Sequence, residues 1–314
     1  MASRAFSITP SGPFSLAQAA TFGFGQRAGS DWDGVLRLAF CLDGYAAHAG
    51  VEVRQDDAGL VHGTVHGPAG LDLDAVRAQV SRVLPLDHDG NEFSEVGERD
   101  PVIARLQAVA PGLRPPLFHS PYEAAAWSVL SARRPASQMM AVRQQLSEAH
   151  GVIFELAGQP APAFPAPDAL LRVESFPGIA AEKIERLHGV AEAAIAGRLD
   201  ASRLLGLGAE AAMAELRQIK GIGPFYSSLI VIRGTGFADV LPVAEPQALA
   251  LTARLYGREE PLAEAEFAQI AQSWKPLRTW AVVLIRAAGP RLLGDQPRKP
   301  APAGEPELAG TTSG

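Results

Sequence analysis

Apolar positions along this chain keep two different periods. In residues 34–42, 45–55 and 60–66 they recur in short β-branched and aromatic runs, separated by Asp43-Gly44 and by Asp56 to Gly59. Runs of this kind between turn residues predict three strands. The segment from Phe14 after Pro13 opens a helix, and Leu73, Val76, Val80 and Val83 form one face of a helix over 71–84. From Ala110 to Pro290 the spacing is helical throughout, broken at Gly151, at a Pro/Ala-rich connector over 159–167, and at Gly189, Gly197 and Gly206. The pattern predicts an α+β N-terminal domain over 1–109 and an all-α domain over 110–292. The tail, 293–314, bears Pro, Gly and Thr and is expected to be disordered.

Within the helical part, 216–250 carries the densest chemistry. Ala212, Met213, Leu216 and Ile219 give a helical stripe that ends at Gly221-Ile222-Gly223, and an apolar run restarts at Phe225. The glycines permit positive φ and leave the backbone bare, while Pro224 suits the first turn of the second helix. That turn's N–H groups lack intrahelical partners and can donate to a phosphate. The same turn also fits a plain corner in a helical bundle, with the Gly motif as a C-cap only. Beyond Arg233-Gly234-Thr235-Gly236 and Asp239-Val240-Leu241-Pro242, Glu245 stands immediately before Pro246 and a helical run over 247–256. A carboxylate is favoured at a helix N-terminus, so an N-cap role competes with a chemical one. Asp239 is a second acid, with spacing better suited to a loop or cap.

These residues resemble the helix-hairpin-helix superfamily of base-excision DNA glycosylases, and more narrowly the bacterial 3-methyladenine DNA glycosylase II family. Ser120-Pro-Tyr-Glu-Ala-Ala-Ala-Trp-Ser-Val-Leu-Ser131 is similar to the opening helix of that family's catalytic domain. Phe176-Pro-Gly-Ile-Ala-Ala-Glu-Lys-Ile-Glu-Arg-Leu187 resembles its earlier hairpin, and Trp274-Lys-Pro-Leu-Arg-Thr-Trp-Ala-Val-Val-Leu-Ile285 its closing helix. The resemblance implies a curved antiparallel sheet in the N-terminal domain and an all-α helix-hairpin-helix glycosylase domain behind it. It also implies hydrolysis of the N-glycosidic bond of an alkylated purine in double-stranded DNA.

Carried onto this chain, the resemblance makes Glu245 the catalytic carboxylate, where the family usually has Asp. Gly221, Ile222, Gly223 and Lys220, with Arg133 and Arg134, become the DNA-binding residues. Phe225, Tyr226 and Trp127 become the base pocket, although the apolar spacing of Trp127 and Trp280 equally fits core packing. Ala132 stands where relatives tend to carry Gln, and Arg286 where they carry an aromatic. The loop 131–135 takes the position of the wedge that fills the gap left by a flipped nucleotide. Bifunctional relatives place a Lys nucleophile just after the hairpin; Phe225 stands there, so no lyase step is expected. No cofactor is implied, and a four-Cys iron–sulfur loop is impossible with Cys41 as the one cysteine. Family members hold a monovalent cation on hairpin carbonyls, here those of 220–223; no metal site is expected from side chains, the histidines being scattered. Two other readings stay open: a catalytically weak or inactive DNA-damage binding protein of the same fold, and a glycosylase for an oxidised purine.

Composition changes this picture in two places. The net charge is −6, which argues against nucleic acid. Yet from Gly112 to Pro290 the chain has 17 basic and 17 acidic residues, so the deficit lies outside the candidate catalytic part. A neutral domain can still bind DNA through hairpin amides and a local basic patch, with strong salt dependence. No apolar stretch is long enough for a membrane span, and the single cysteine fits a reducing cytoplasm, with Cys41 a small core residue. A monomer is expected.

Overall fold

The computed structural model describes residues 4–22, 32–243 and 245–295; the predicted tail falls almost wholly outside them. Strands β1 (Arg4–Ile8), β2 (Leu36–Cys41), β3 (His48–Gln55) and β4 (Val61–His66) form an antiparallel sheet in the order β1-β4-β3-β2. The β3–β4 turn closes where Asp56 accepts a hydrogen bond from the N–H of Leu60 at 2.9 Å. Alternate residues Val51, Val53, Val61 and Val65 point inward and are almost fully buried. They meet α1 (Leu16–Thr21), capped by Ser15, and α2 (Leu73–Val83), capped by Asp72, in one core. The three predicted strands and both helices are present. Strand β1 was not foreseen, because five residues with two inward apolar positions leave too short a pattern to read.

Helices α3 (Gly90–Arg99) and α4 (Pro101–Val109) turn away from that sheet. Phe93, Val96, Ile103 and Leu106 pack into the core of Trp274, Trp280, Leu284 and Ile285. Asp100 ties the two parts together. One of its oxygens caps α4 through the N–H groups of Val102 and Ile103. The other accepts from Tyr256 Oη at 2.5 Å, Ser273 Oγ at 3.0 Å and Trp274 Nε1 at 3.0 Å. Truncation removes the acceptor shared by the buried Trp274 and the half-buried Tyr256 and Ser273, together with a helix cap, so Asp100→Ala should cost about 2–3 kcal/mol in urea unfolding. A loss under about 0.5 kcal/mol, the range of an ordinary surface change, would show that the network contributes little.

The remaining elements are α5 (Pro121–Ser131), α6 (Ala136–His150), β5 (Val152–Leu156), β6 (Gln159–Ala163), α7 (Pro167–Leu171), α8 (Ala181–Ile195), α9 (Ala201–Leu207), α10 (Ala209–Leu216), α11 (Pro224–Ile230), α12 (Pro246–Leu255), α13 (Glu264–Ile270) and α14 (Arg278–Leu292). One expectation is corrected here. The region 110–290 is not helical throughout: residues 152–156, expected to be helical, pair as a strand with 159–163, which were expected to belong to the 159–167 connector. Val152, Ile153 and Phe154 are strand formers, and Ala157 and Gly158 both take positive φ, which closes a two-residue hairpin turn. The hairpin is held by the N-terminal sheet: Arg37 donates to the Leu156 carbonyl and Glu52 accepts from the N–H of Ala157. The Phe154 ring lies on Gly50, where a Cβ would fall within 2.6 Å of it, so position 50 tolerates only glycine without a shift. Helix α5, buried from Pro121 to Leu130, runs through the middle of the helical core.

Candidate functional site

The site begins at the hairpin between α10 and α11. Helix α10 stops at Leu216, earlier than the apolar stripe suggests. Residues 217–223 form a tight turn with bonds from Ile219 N to the Leu216 carbonyl and from Ile222 N to the Ile219 carbonyl, each 3.0 Å. Gly221 has φ +97°, and its bare backbone lies against Arg186 of α8. Ile222 is 3% exposed and anchors the turn in the core, so it can offer a ligand its backbone only. Gly223 is the N-cap of α11, Pro224 is its first residue, and the first bond along the helix is from Ser227 N to the Gly223 carbonyl. The N–H groups of Phe225 and Tyr226 precede it, as an anion site at a helix start requires. Among the described residues the carbonyls of Lys220 and Gly221 accept no backbone hydrogen bond, which fits the carbonyl cradle for a monovalent cation implied by the resemblance. No group of three or more His, Cys, Asp and Glu is assembled among those residues.

Helix α11 ends in a π-turn, Val231–Thr235, a local widening often found at functional sites. The chain reverses at Gly236 and enters the loop that delivers Glu245. That loop is held from two sides. Ser228 Oγ of α11 accepts from the N–H of Val243 at 3.2 Å. On α14, Thr279 Oγ1 accepts from Val240 N at 3.0 Å, and Arg278 grips the Asp239 carboxylate at 2.7 and 3.0 Å. Asp239 also accepts from the N–H of Arg278, so it caps α14. Glu245 occupies the N-cap position of α12 but makes no capping hydrogen bond with its side chain.

Its carboxylate turns instead into a cleft of about 480 Å³ between α5, α11 and α14. The walls are aromatic and aliphatic: Trp127, Phe225, Tyr226, Leu229, Val282 and Val283. Phe225 is 40% exposed and sits edge-on to Tyr226, 5.2 Å between centroids. Trp127 is 5% exposed, so it is a core residue with one face on the cleft. Arg286 reaches in from α14, and its Nη1 donates to Glu245 Oε1. Both remain partly open, with 37% and 22% of their side chains exposed.

The other anticipated residues are distributed around this cleft. Arg134 lines its mouth, whereas Arg133, in the left-handed region at φ +56°, is exposed beside it. Lys220 is exposed on the hairpin, 4.0 Å from Glu185. Three residues escaped the sequence reading. Arg233 is buried on the π-turn, donates to the Pro116 carbonyl and lies over the Phe22 ring. Lys183 donates to the Leu130 and Ala132 carbonyls and so closes the end of α5. Burial first, then Arg134 and Arg186, holds its ammonium below the usual lysine range. Arg186 lies on the hairpin glycine. An arginine inside an apolar run was the available signal for Arg233; for Lys183 and Arg186, nothing in the local pattern distinguishes them from a solvated helix face.

This is the fold of the helix-hairpin-helix DNA glycosylases: the chain superposes on the 3-methyladenine DNA glycosylase of Archaeoglobus fulgidus with a TM-score of 0.72 at 19% identity, covering 89% of this chain and 96% of that one. No protein-family model matches. In sequence the chain is similar to the DNA-3-methyladenine glycosylase of Bacillus subtilis, 24% identical over 204 residues, which is 64% of this chain and 67% of that protein. It is also similar to the probable bifunctional transcriptional activator/DNA repair enzyme AlkA of Mycobacterium tuberculosis, 27% identical over 213 residues, 67% of this chain but 42% of that protein. Among the described residues no helix is long and apolar enough to cross a membrane.

Proposed function

We propose that this chain is a monofunctional DNA glycosylase of base-excision repair that hydrolyses the N-glycosidic bond of an alkylated purine in duplex DNA. The observation that carries the proposal is Glu245. It is a carboxylate held by a doubly anchored loop, aimed into an aromatic-walled cleft beside a glycine hairpin. The proposed catalytic unit is the helical part behind the N-terminal sheet, acting as a monomer.

The chemistry follows from that placement. The hairpin amides and Lys220 hold the backbone, Arg133 and Arg134 meet phosphates at the cleft mouth, and the 131–135 turn fills the stack. Flipping costs a few kcal/mol, least for a damaged pair. Phe225 and Tyr226 then offer rings to the extruded base. As the bond lengthens, positive charge grows on the sugar. A carboxylate about 3–4 Å from the anomeric carbon, in a site that excludes water, stabilises that charge strongly. Glu245 also orients the attacking water and takes its proton. No amine stands after the hairpin, where Phe225 is found.

The Arg286–Glu245 pair favours a second reading, a damage-binding module whose carboxylate is permanently occupied. Purified protein incubated with methylated duplex, and with duplex carrying a neutral etheno adduct, separates the two. The glycosylase reading expects free purine base, strand breakage only after alkali, and no borohydride-trapped adduct. DNA binding without release of base from either duplex would leave the module.

A further inference from the structure

We propose that Arg286 is a specificity-determining residue that turns the cleft toward neutral modified purines bearing hydrogen-bond acceptors and away from cationic ones. The inference rests on the glycosylase reading and names the substrate class within it. Alkylated purines come in two electrostatic kinds. Alkylation of a ring nitrogen of the nucleoside leaves a fixed positive charge on the base. An adduct bridging the exocyclic amine and a ring nitrogen leaves the base neutral, with lone pairs at its edge. A bare carboxylate in an apolar cleft would draw in the first kind.

Glu245 is not bare. Arg286 Nη1 donates to its Oε1, so the two charges offset each other where the base must enter. A guanidinium carries a full positive charge and offers five N–H donors and no acceptor. Among the described residues its one hydrogen bond is that to Glu245. A cationic base therefore meets a like charge without receiving the carboxylate's full attraction. A neutral base that presents a ring nitrogen or carbonyl oxygen finds donors waiting. Geometry adds freedom of motion. Arg286 borders both the main cleft and a second depression of about 410 Å³ formed with Gln247, Leu251 and Arg254. The guanidinium thus has open space beyond Glu245 and can follow an acceptor, releasing the carboxylate for the sugar. Arg286 acts here on base choice; the carboxylate remains the group that meets the sugar.

The test uses full-length protein and two duplexes, one with 7-methylguanine and one with ethenoadenine, at mildly acidic pH where the former is cationic and the latter neutral. A 2′-fluoro sugar blocks cleavage for binding measurements, and the ordinary sugar reports release. Removing one like charge within contact distance is expected to move the neutral-to-cationic binding ratio by about tenfold toward the cation in Arg286→Leu. Arg286→Lys, which keeps the charge, should stay close to wild type. The same ratio in wild type and Arg286→Leu, whether or not base is released, overturns the filter. A shifted binding ratio with no release of either base keeps the filter and overturns the glycosylase reading instead.

Discussion

Glu245→Gln is expected to lower the single-turnover rate of base release by about 10²–10³-fold or more, the loss typical when one preorganised polar group is removed from a transition state. The substitution is nearly isosteric and deletes only the charge. The fold should survive it. Glu245 makes no capping bond, and its ion pair with Arg286 is partly exposed, a kind worth at most about 1 kcal/mol. DNA binding should also survive, since the hairpin and the basic turn are untouched. The expected signature is therefore a fall in release rate at unchanged affinity and unchanged unfolding midpoint. Glu245→Asp should be impaired less than Gln, because it keeps the charge but pulls it back by one methylene from a backbone fixed through Ser228 and Thr279. Release by Glu245→Gln at the wild-type rate would remove Glu245 from the chemistry and leave it as an acid that merely pairs with Arg286.

How much of this could be read beforehand depended on how local the signal was. The hairpin glycines, Pro224 and the position of Glu245 before Pro246 lie within one short stretch, and local backbone chemistry dictates them. Long amphipathic helices such as α2 were equally plain. The 152–163 hairpin was misread because Pro160 and Pro162 suggest a connector. Its strand character depends on docking against β2 and β3, a contact between segments more than a hundred residues apart. The Glu245–Arg286 pair has the same cause. Arg286 was visible as an arginine in an apolar helix, but its partner, 41 residues earlier, is chosen by how α14 crosses the Glu245 loop. Glu123 was read only as part of an opening helix, although it proves to be one of the most buried charges in the chain.

The largest loss of stability is expected from Glu123→Ala, about 3–5 kcal/mol, the cost of leaving a buried partner charge uncompensated. Glu123 is 1% exposed in the first turn of α5. Its Oε2 accepts from Arg143 Nη2 at 2.7 Å and lies 3.1 Å from His119 Nδ1, while its own N–H is capped by Ser120 Oγ. Arg143 lies over the Phe164 ring and is itself mostly buried, so water can only partly replace the carboxylate when it goes. Burial alone would push the Glu123 carboxyl up; the charges and hydrogen bonds of His119 and Arg143 outweigh it and bring the group down from 4.5 to about 2. The folded pKa therefore lies below the unfolded one. The carboxylate's contribution is complete above about pH 5, shrinks as pH falls through the unfolded value, and is lost near pH 2. Urea unfolding of wild type should lose stability through that window more steeply than Glu123→Ala does. Replacing both members, Glu123→Leu with Arg143→Met, should recover much of the single variant's loss, because the buried charge is removed with its partner. Parallel acid profiles for wild type and Glu123→Ala would show that Glu123 is not the group whose protonation weakens the fold.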